Sequence, residues 1–110
     1  MTLLLAVNYG GRDEIVHAAK LVSEKVRNGE MNIEDITEEK FSSYLYAGEF
    51  PDVDLLIRPS GELRISNYMI WQCAYAEFYF SDVLWPDFLP EELNKALFDY
   101  AKRSRRFGGV

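Results

Sequence analysis

Two short apolar runs constrain this chain more than any other feature: LLLAV at Leu3–Val7 and VDLLI at Val53–Ile57. Each is continuous or nearly so rather than alternating, the pattern of a parallel strand covered on both faces. Between them Ile15, Ala18, Ala19, Val22 and Val26 recur at helical spacing through DEIVHAAKLVSEKVRNG. Parallel strands cannot be joined by a tight turn and need a crossover, usually a helix. The predicted fold class is therefore α/β, a parallel β-sheet flanked by helices.

Gly10 and Gly11 allow a tight turn after the first run, and Asp13 and Glu14 place negative charge at the positive end of the helix dipole. Gly29 is the expected stop of that helix. His17 lies off the apolar stripe and reads as a solvated helical residue. TEEKFSSYLY predicts a second, short helix with Thr37 as its N-cap. The second strand, in PDVDLLIR, has Pro51 outside its start. SNYMIWQCAYAEFYF divides into a short helix over about Asn67 to Cys73 and a strand through Glu77 to Phe80. A last helix is expected from about Glu91 to Arg103, with Leu93, Leu97 and Tyr100 on one face, before the basic tail KRSRRFGGV. Three strands make a small, poorly covered sheet, and the chain starts directly in one of them. The 110 residues are therefore expected to be the back half of a larger domain.

Charge narrows the possible partners. Twelve Lys and Arg against eighteen Asp and Glu give a formal charge of −6, which argues against the broad basic field that nucleic-acid binding needs. A small local anion site remains open. Hydrophobic residues at 48% are enough for a core. A lone Cys73 excludes an internal disulfide or a cysteine zinc cluster and fits a reducing, cytoplasmic setting. No apolar run is long enough to span a bilayer. GxxxxGK[ST] and GxGxxG loops and metal-binding His pairs are absent.

Ligands of open parallel sheets bind beyond the carboxyl ends of the strands. NYGG follows the first run and RPSGELRIS the second, so both loops should open on one edge. Arg58, Arg64 and Ser66 suit a phosphate: two planar guanidinium forks, and a hydroxyl at the start of the following helix. The alternative is that Arg58 pairs with Asp54 or Glu62 and that Ser66 is only an N-cap. Glu77 stands in the apolar run CAYAEFYF, where an unpaired charge is costly. It points outward, pairs with an arginine or ligates a hard cation such as Mg²⁺ alongside phosphate oxygens. RSRRFGG meets the dipole of the last helix, and Gly108 and Gly109 also let backbone N–H groups approach an anion. The aromatic group around Tyr68, Trp71, Tyr75, Phe78, Tyr79, Phe80 and Trp85 reads as core or subunit interface rather than a ligand cage.

NYGGR, DLLIRPSGELRISNYMIWQCAYAEFYFSDVLWPDF and the terminal RRFGG, in that order, resemble the C-terminal half of the cis-prenyltransferases, those of the undecaprenyl diphosphate synthase type above all. The resemblance covers essentially residues 1–110 as one portion of a single domain. It implies a cytoplasmic, membrane-associating homodimer, with peripheral membrane contact through its lipid product. The implied reaction adds isopentenyl diphosphate to an allylic diphosphate such as farnesyl diphosphate, with cis geometry and Mg²⁺. Arg58, Arg64, Ile65 and Ser66 would then bind isopentenyl diphosphate, and Glu77 would help hold Mg²⁺. Arg106, Phe107 and Gly108 match an Arg-x-Gly element that reaches the partner subunit's diphosphate. The lack of a DDxxD sequence, the metal motif of trans-type synthases, agrees with this.

Two departures qualify the resemblance. Leu63 stands where some members carry a histidine near the metal, and leucine cannot ligate. The family's catalytic aspartate, its allylic-diphosphate loop, the asparagine of the proton step and most of the product tunnel are expected N-terminal to the matched region. No catalytic residue is therefore assigned here, and the chain alone is expected to be inactive. Two other classes stay open, a noncatalytic accessory subunit and a stable α/β fragment without activity. Retention of both Arg58 and Arg64 favours the enzyme. Leu3, Leu4 and Leu5 are expected in the core rather than lining a tunnel.

Overall fold

The computed structural model describes residues 1–109. By its backbone contacts the chain falls into two compact units. One holds Met1–Pro51 with Asn67–Trp71; the other holds Asp52–Ser66 with the segment from Gln72 onward.

The first unit is built on helix α1, Gly11–Arg27. Ala18 and Val22 of the predicted stripe are buried, as are Met31 and Leu45. The helix stops where glycine allows: Gly29 takes φ +74°, and Gly29 and Glu30 donate to the carbonyls of Val26 and Lys25 at 3.1 and 2.9 Å. This pair of bonds is a Schellman motif. Helix α2, Glu38–Ser42, is capped by Thr37, whose side chain accepts from the Lys40 amide at 3.1 Å. A 3₁₀ turn at Ile33–Asp35 precedes it.

The expected strand at Leu3–Val7 does not form. These residues are exposed and make no ladder hydrogen bonds. An apolar run becomes a strand only beside a neighbour that satisfies its backbone, and no described residue plays that part. Leu3, Leu4 and Leu5 are consequently not core residues.

The second unit carries the sheet. Strands β1, Leu55–Arg58, and β2, Glu77–Phe80, pair in parallel, Leu55 opposite Glu77 and Arg58 opposite Phe80. Helix α3, Pro90–Lys102, starts with proline at its first position, where the missing N–H costs nothing. Its buried residue is Ala96, while Leu93 and Leu97 are half exposed. The apolar face expected from Leu93, Leu97 and Tyr100 is thus only partly covered. The α/β class and its parallel pairing stand, with two strands in place of three.

The short helix expected over Asn67 to Cys73 is a run of turns. Ser66, Asn67 and Met69 take φ of 47°, 64° and 47°, values that exclude a right-handed helix. Asn67 instead caps α1: its carbonyl accepts from Gly11 at 2.7 Å and its side-chain oxygen from Arg12 at 2.9 Å. A β-carbon on Gly11 would stand 3.0 Å from both the Asn67 carbonyl oxygen and Ile70, so glycine permits this approach.

Candidate functional site

Strand β1 carries Arg58 to the carboxyl end of the parallel pair, and the chain turns there into a loop that the sheet itself fixes. Ser60 and Gly61, both left-handed at φ 70°, donate to the carbonyls of Val83 and Ser81 at 2.8 Å each. Those two amides are spent on backbone and are not donors for an anion. The donors that remain are side chains.

Of the loop's two arginines, Arg58 is the uncommitted one. Its guanidinium has no ion pair or hydrogen bond among the described residues, while its side chain is half buried. Neither alternative partner is used: Asp54 holds Arg105, and Glu62 holds Arg64 at 2.5 Å. Arg64 is exposed, so its ion pair is open to competition from solvent and other anions. Ile65 is half buried beside it, and Ser66 is exposed. No helix begins at Ser66, so the dipole expected behind its hydroxyl is missing.

Glu77 lies elsewhere. The parallel register sets it opposite Leu55, at the amino end of the pair, about 10 Å along the strand from the level of Arg58. The nearby cradle expected to supply its phosphate oxygens thus stands at the other end of the pair. The Glu77 carboxylate accepts from Arg103 at 3.1 Å, the arginine-paired alternative. Leu63 is exposed and adds no ligand, and no group of three or more His, Cys, Asp or Glu able to hold a metal occurs among the described residues. One carboxylate is a share in a Mg²⁺ site and not a whole one.

The C-terminal tail shares that amino end. Arg105 reaches Asp54 and the Tyr75 carbonyl, and Phe107 lies 6.2 Å, centre to centre, from the Tyr75 ring. Arg106 is exposed and unpaired among the described residues. The candidate residues thus form two sets at opposite ends of the sheet. Arg58, Arg64, Ile65 and Ser66 belong to the loop; Glu77, Arg106 and Gly108 belong to the tail end.

Sequence reasoning missed the groups that hold these sets in place. Arg103 and Arg105 stood in the basic tail with nothing to separate them from Arg106 except alternation. In the first unit Glu14, read from the sequence only as first-turn charge facing the helix dipole, is 1% exposed and accepts from the Tyr9 hydroxyl and, at 3.1 Å, from the Tyr46 amide. Burial and this carboxylate push the Tyr9 phenol well above its ordinary value. His17, expected to be solvated, is half buried against the Tyr46 ring at 4.8 Å. Burial, followed by the charge of Asp52, raises the Cys73 thiol and keeps it a packing residue rather than a nucleophile.

The model of the undecaprenyl diphosphate synthase family of prenyltransferases matches residues 1–108. An isoprenyl transferase of Clostridium perfringens is 56% identical over 110 residues, which are 100% of this chain and 44% of the relative. A ditrans,polycis-undecaprenyl-diphosphate synthase of Micrococcus luteus, specific for (2E,6E)-farnesyl diphosphate, is 49% identical over the same share of each chain. Among solved structures, lavandulyl diphosphate synthase from Lavandula x intermedia, in complex with dimethylallyl diphosphate, has a TM-score of 0.90 and 46% identity. That match covers 94% of this chain and 45% of the other. The chain spans less than half the length of the curated relatives it matches.

Proposed function

The chain belongs to the undecaprenyl diphosphate synthase family of prenyltransferases, and on that premise we propose that its Arg58–Ser66 loop binds the diphosphate of isopentenyl diphosphate. The observation that carries this reading is Arg58: an arginine with no partner among the described residues, at the carboxyl end of a parallel strand, where such sheets bind ligands. None of the Arg58 nitrogens is both buried and unpaired, so its guanidinium meets solvent, and its planar fork is open to bind an anion. Arg64 joins when the anion displaces Glu62, the Ser66 hydroxyl donates a further bond, and Ile65 flanks the hydrocarbon end.

In the reaction proposed for the whole enzyme, an allylic diphosphate such as farnesyl diphosphate loses its diphosphate. The double bond of isopentenyl diphosphate attacks the freed carbon and then gives up a proton. What this chain contributes is the anchor of the second substrate, which holds the two reactants in a near-attack pose. Mg²⁺, when bound, would neutralise charge on the diphosphates, with Glu77 as one oxygen ligand. Glu77 and Arg106–Gly108 share the tail end, so both are assigned to the diphosphate of a second copy in a homodimer. The chain alone is expected to bind and not to transfer, in a cytoplasmic setting with membrane contact only through the lipid product.

Calorimetric titration of isopentenyl diphosphate with Mg²⁺ tests this. Saturable heat that vanishes in Arg58→Ala supports the reading. Equal binding by wild type and Arg58→Ala overturns it, as does incorporation of labelled isopentenyl diphosphate by the chain alone for the claim of inactivity.

A further inference from the structure

Three arginines, at positions 103, 105 and 106, crowd the C-terminal tail, and the structure gives them different tasks. The chain leaves α3 extended, with Arg103 at φ −79° and ψ 145°. Alternate side chains of an extended segment point to opposite faces, so Arg103 and Arg105 share one face and Arg106 takes the other.

The contacts follow that division. Arg103 donates to Asp99 through Nε and Nη2 at 2.9 and 2.6 Å, and through Nη1 to Glu77 at 3.1 Å and the Phe78 carbonyl at 2.8 Å. Arg105 donates to Asp54 at 2.5 Å, to the Tyr75 carbonyl at 2.9 Å and to the Tyr100 hydroxyl at 3.4 Å. Its guanidinium carbon also lies 4.4 Å from the centre of the Phe107 ring. Its Nε is buried without a partner, which takes back part of that gain. Beyond it the chain reverses: Phe107 and Gly108 are left-handed at φ 49° and 77°, and Gly109 donates to the Arg106 carbonyl at 2.7 Å. A phenylalanine at positive φ is strained and persists only where its surroundings fix it. Phe107 is 62% exposed, and the Arg105 guanidinium and the Tyr75 ring are the groups that lie against it.

We propose that Arg105, with Arg103 behind it, is a positioning residue that latches the tail onto the amino end of the sheet and leaves Arg106 as the one of these three arginines without a carboxylate partner among the described residues. The inference rests on the reading of Arg106 and Gly108 as diphosphate-binding residues, and it adds what holds them in place. Arg103 and Arg105 are each paired with carboxylates of their own chain, and the proposal gives them the task of holding the tail rather than of touching substrate.

The test uses the whole chain, with ¹⁵N heteronuclear NOE values of Gly108 and Gly109 beside calorimetric affinity for isopentenyl diphosphate in Mg²⁺. Arg105→Gln is expected to drop both NOE values to those of a free end and to weaken binding about fivefold, the scale of one surface latch. Arg105→Lys keeps the charge toward Asp54 without the fork and should fall between. Exchanging the charges, Asp54→Arg with Arg105→Asp, should restore part of the order. Retained order in Arg105→Gln overturns the latch. Lost order with unchanged affinity overturns the positioning role. A wild-type chain that binds no diphosphate overturns the functional reading instead, and the NOE comparison still decides whether the latch exists.

Discussion

Glu62 lies 2.5 Å from Arg64, and that pair separates the loop's two arginines into one committed and one without a partner among the described residues. Both partners are substantially exposed, so the pair is a weak restraint that a diphosphate can replace. Glu62→Gln removes the competitor and is expected to raise affinity for isopentenyl diphosphate, by about twofold to fivefold at low salt. The gain should shrink as ionic strength rises. Calorimetry at two salt concentrations checks it, and weaker binding by Glu62→Gln would mean that Glu62 orders Arg64 for the ligand.

The cap that Asn67 places on α1 has separable parts. Asn67→Gly tolerates φ 64° and loses only the side-chain acceptor of the Arg12 amide. It should cost about 1 kcal/mol. Asn67→Ala adds left-handed strain and should cost about 1 kcal/mol more. Asn67→Asp keeps an acceptor and should sit close to wild type. Urea denaturation of the three variants decides; equal midpoints for Gly and Ala would remove the strain from the account.

Tyr9 makes stability fall at alkaline pH. Its phenol is raised above its ordinary value of 10.0, first by burial and then by its bond and charge interaction with Glu14. A folded-state value above the unfolded one favours the protonated form in the fold. That stabilisation is whole below pH 10 and is lost as pH climbs toward the folded value. Tyr9→Phe should flatten the loss between about pH 9.5 and 11 in thermal unfolding. An unchanged slope would assign the alkaline loss to other groups.

Leu3, Leu4, Leu5 and Val7 are between 52% and 82% exposed, a contiguous apolar stretch with unpaired backbone. Such a run promotes association. Leu4→Asp is expected to lower the sedimentation coefficient of concentrated samples toward that of a monomer. Its failure to do so would show that association uses another surface.

Where local chemistry and tertiary contacts agree, the sequence was legible. Gly29, Thr37, the parallel runs at β1 and β2 and the start of α3 each carry a local signal that the fold obeys. Leu3–Val7 looked like a strand because apolar runs report burial against neighbours, and no described residue pairs with this one. Asn67 was misread because its cap on α1 is a contact across more than fifty residues, which helical propensity does not encode. Arg58 and Arg64 were recognisable as a pair, but only the geometry shows that one is held by Glu62 and the other is not. Glu77 was grouped with the loop by chemistry and removed from it by the register of two strands.

The central claim is that Arg58 is the free cation of a diphosphate site, and the Nε–Hε signal of Arg58 reports on it directly. Isopentenyl diphosphate is added with Mg²⁺ at constant ionic strength, and arginine side-chain spectra are followed, the Arg58 signal identified by its loss in Arg58→Lys. The account predicts a saturable shift of Arg58, accompanied by Arg64, while Arg103 and Arg105 stay still on their carboxylates. A motionless Arg58 at ligand concentrations that saturate binding heat would contradict it.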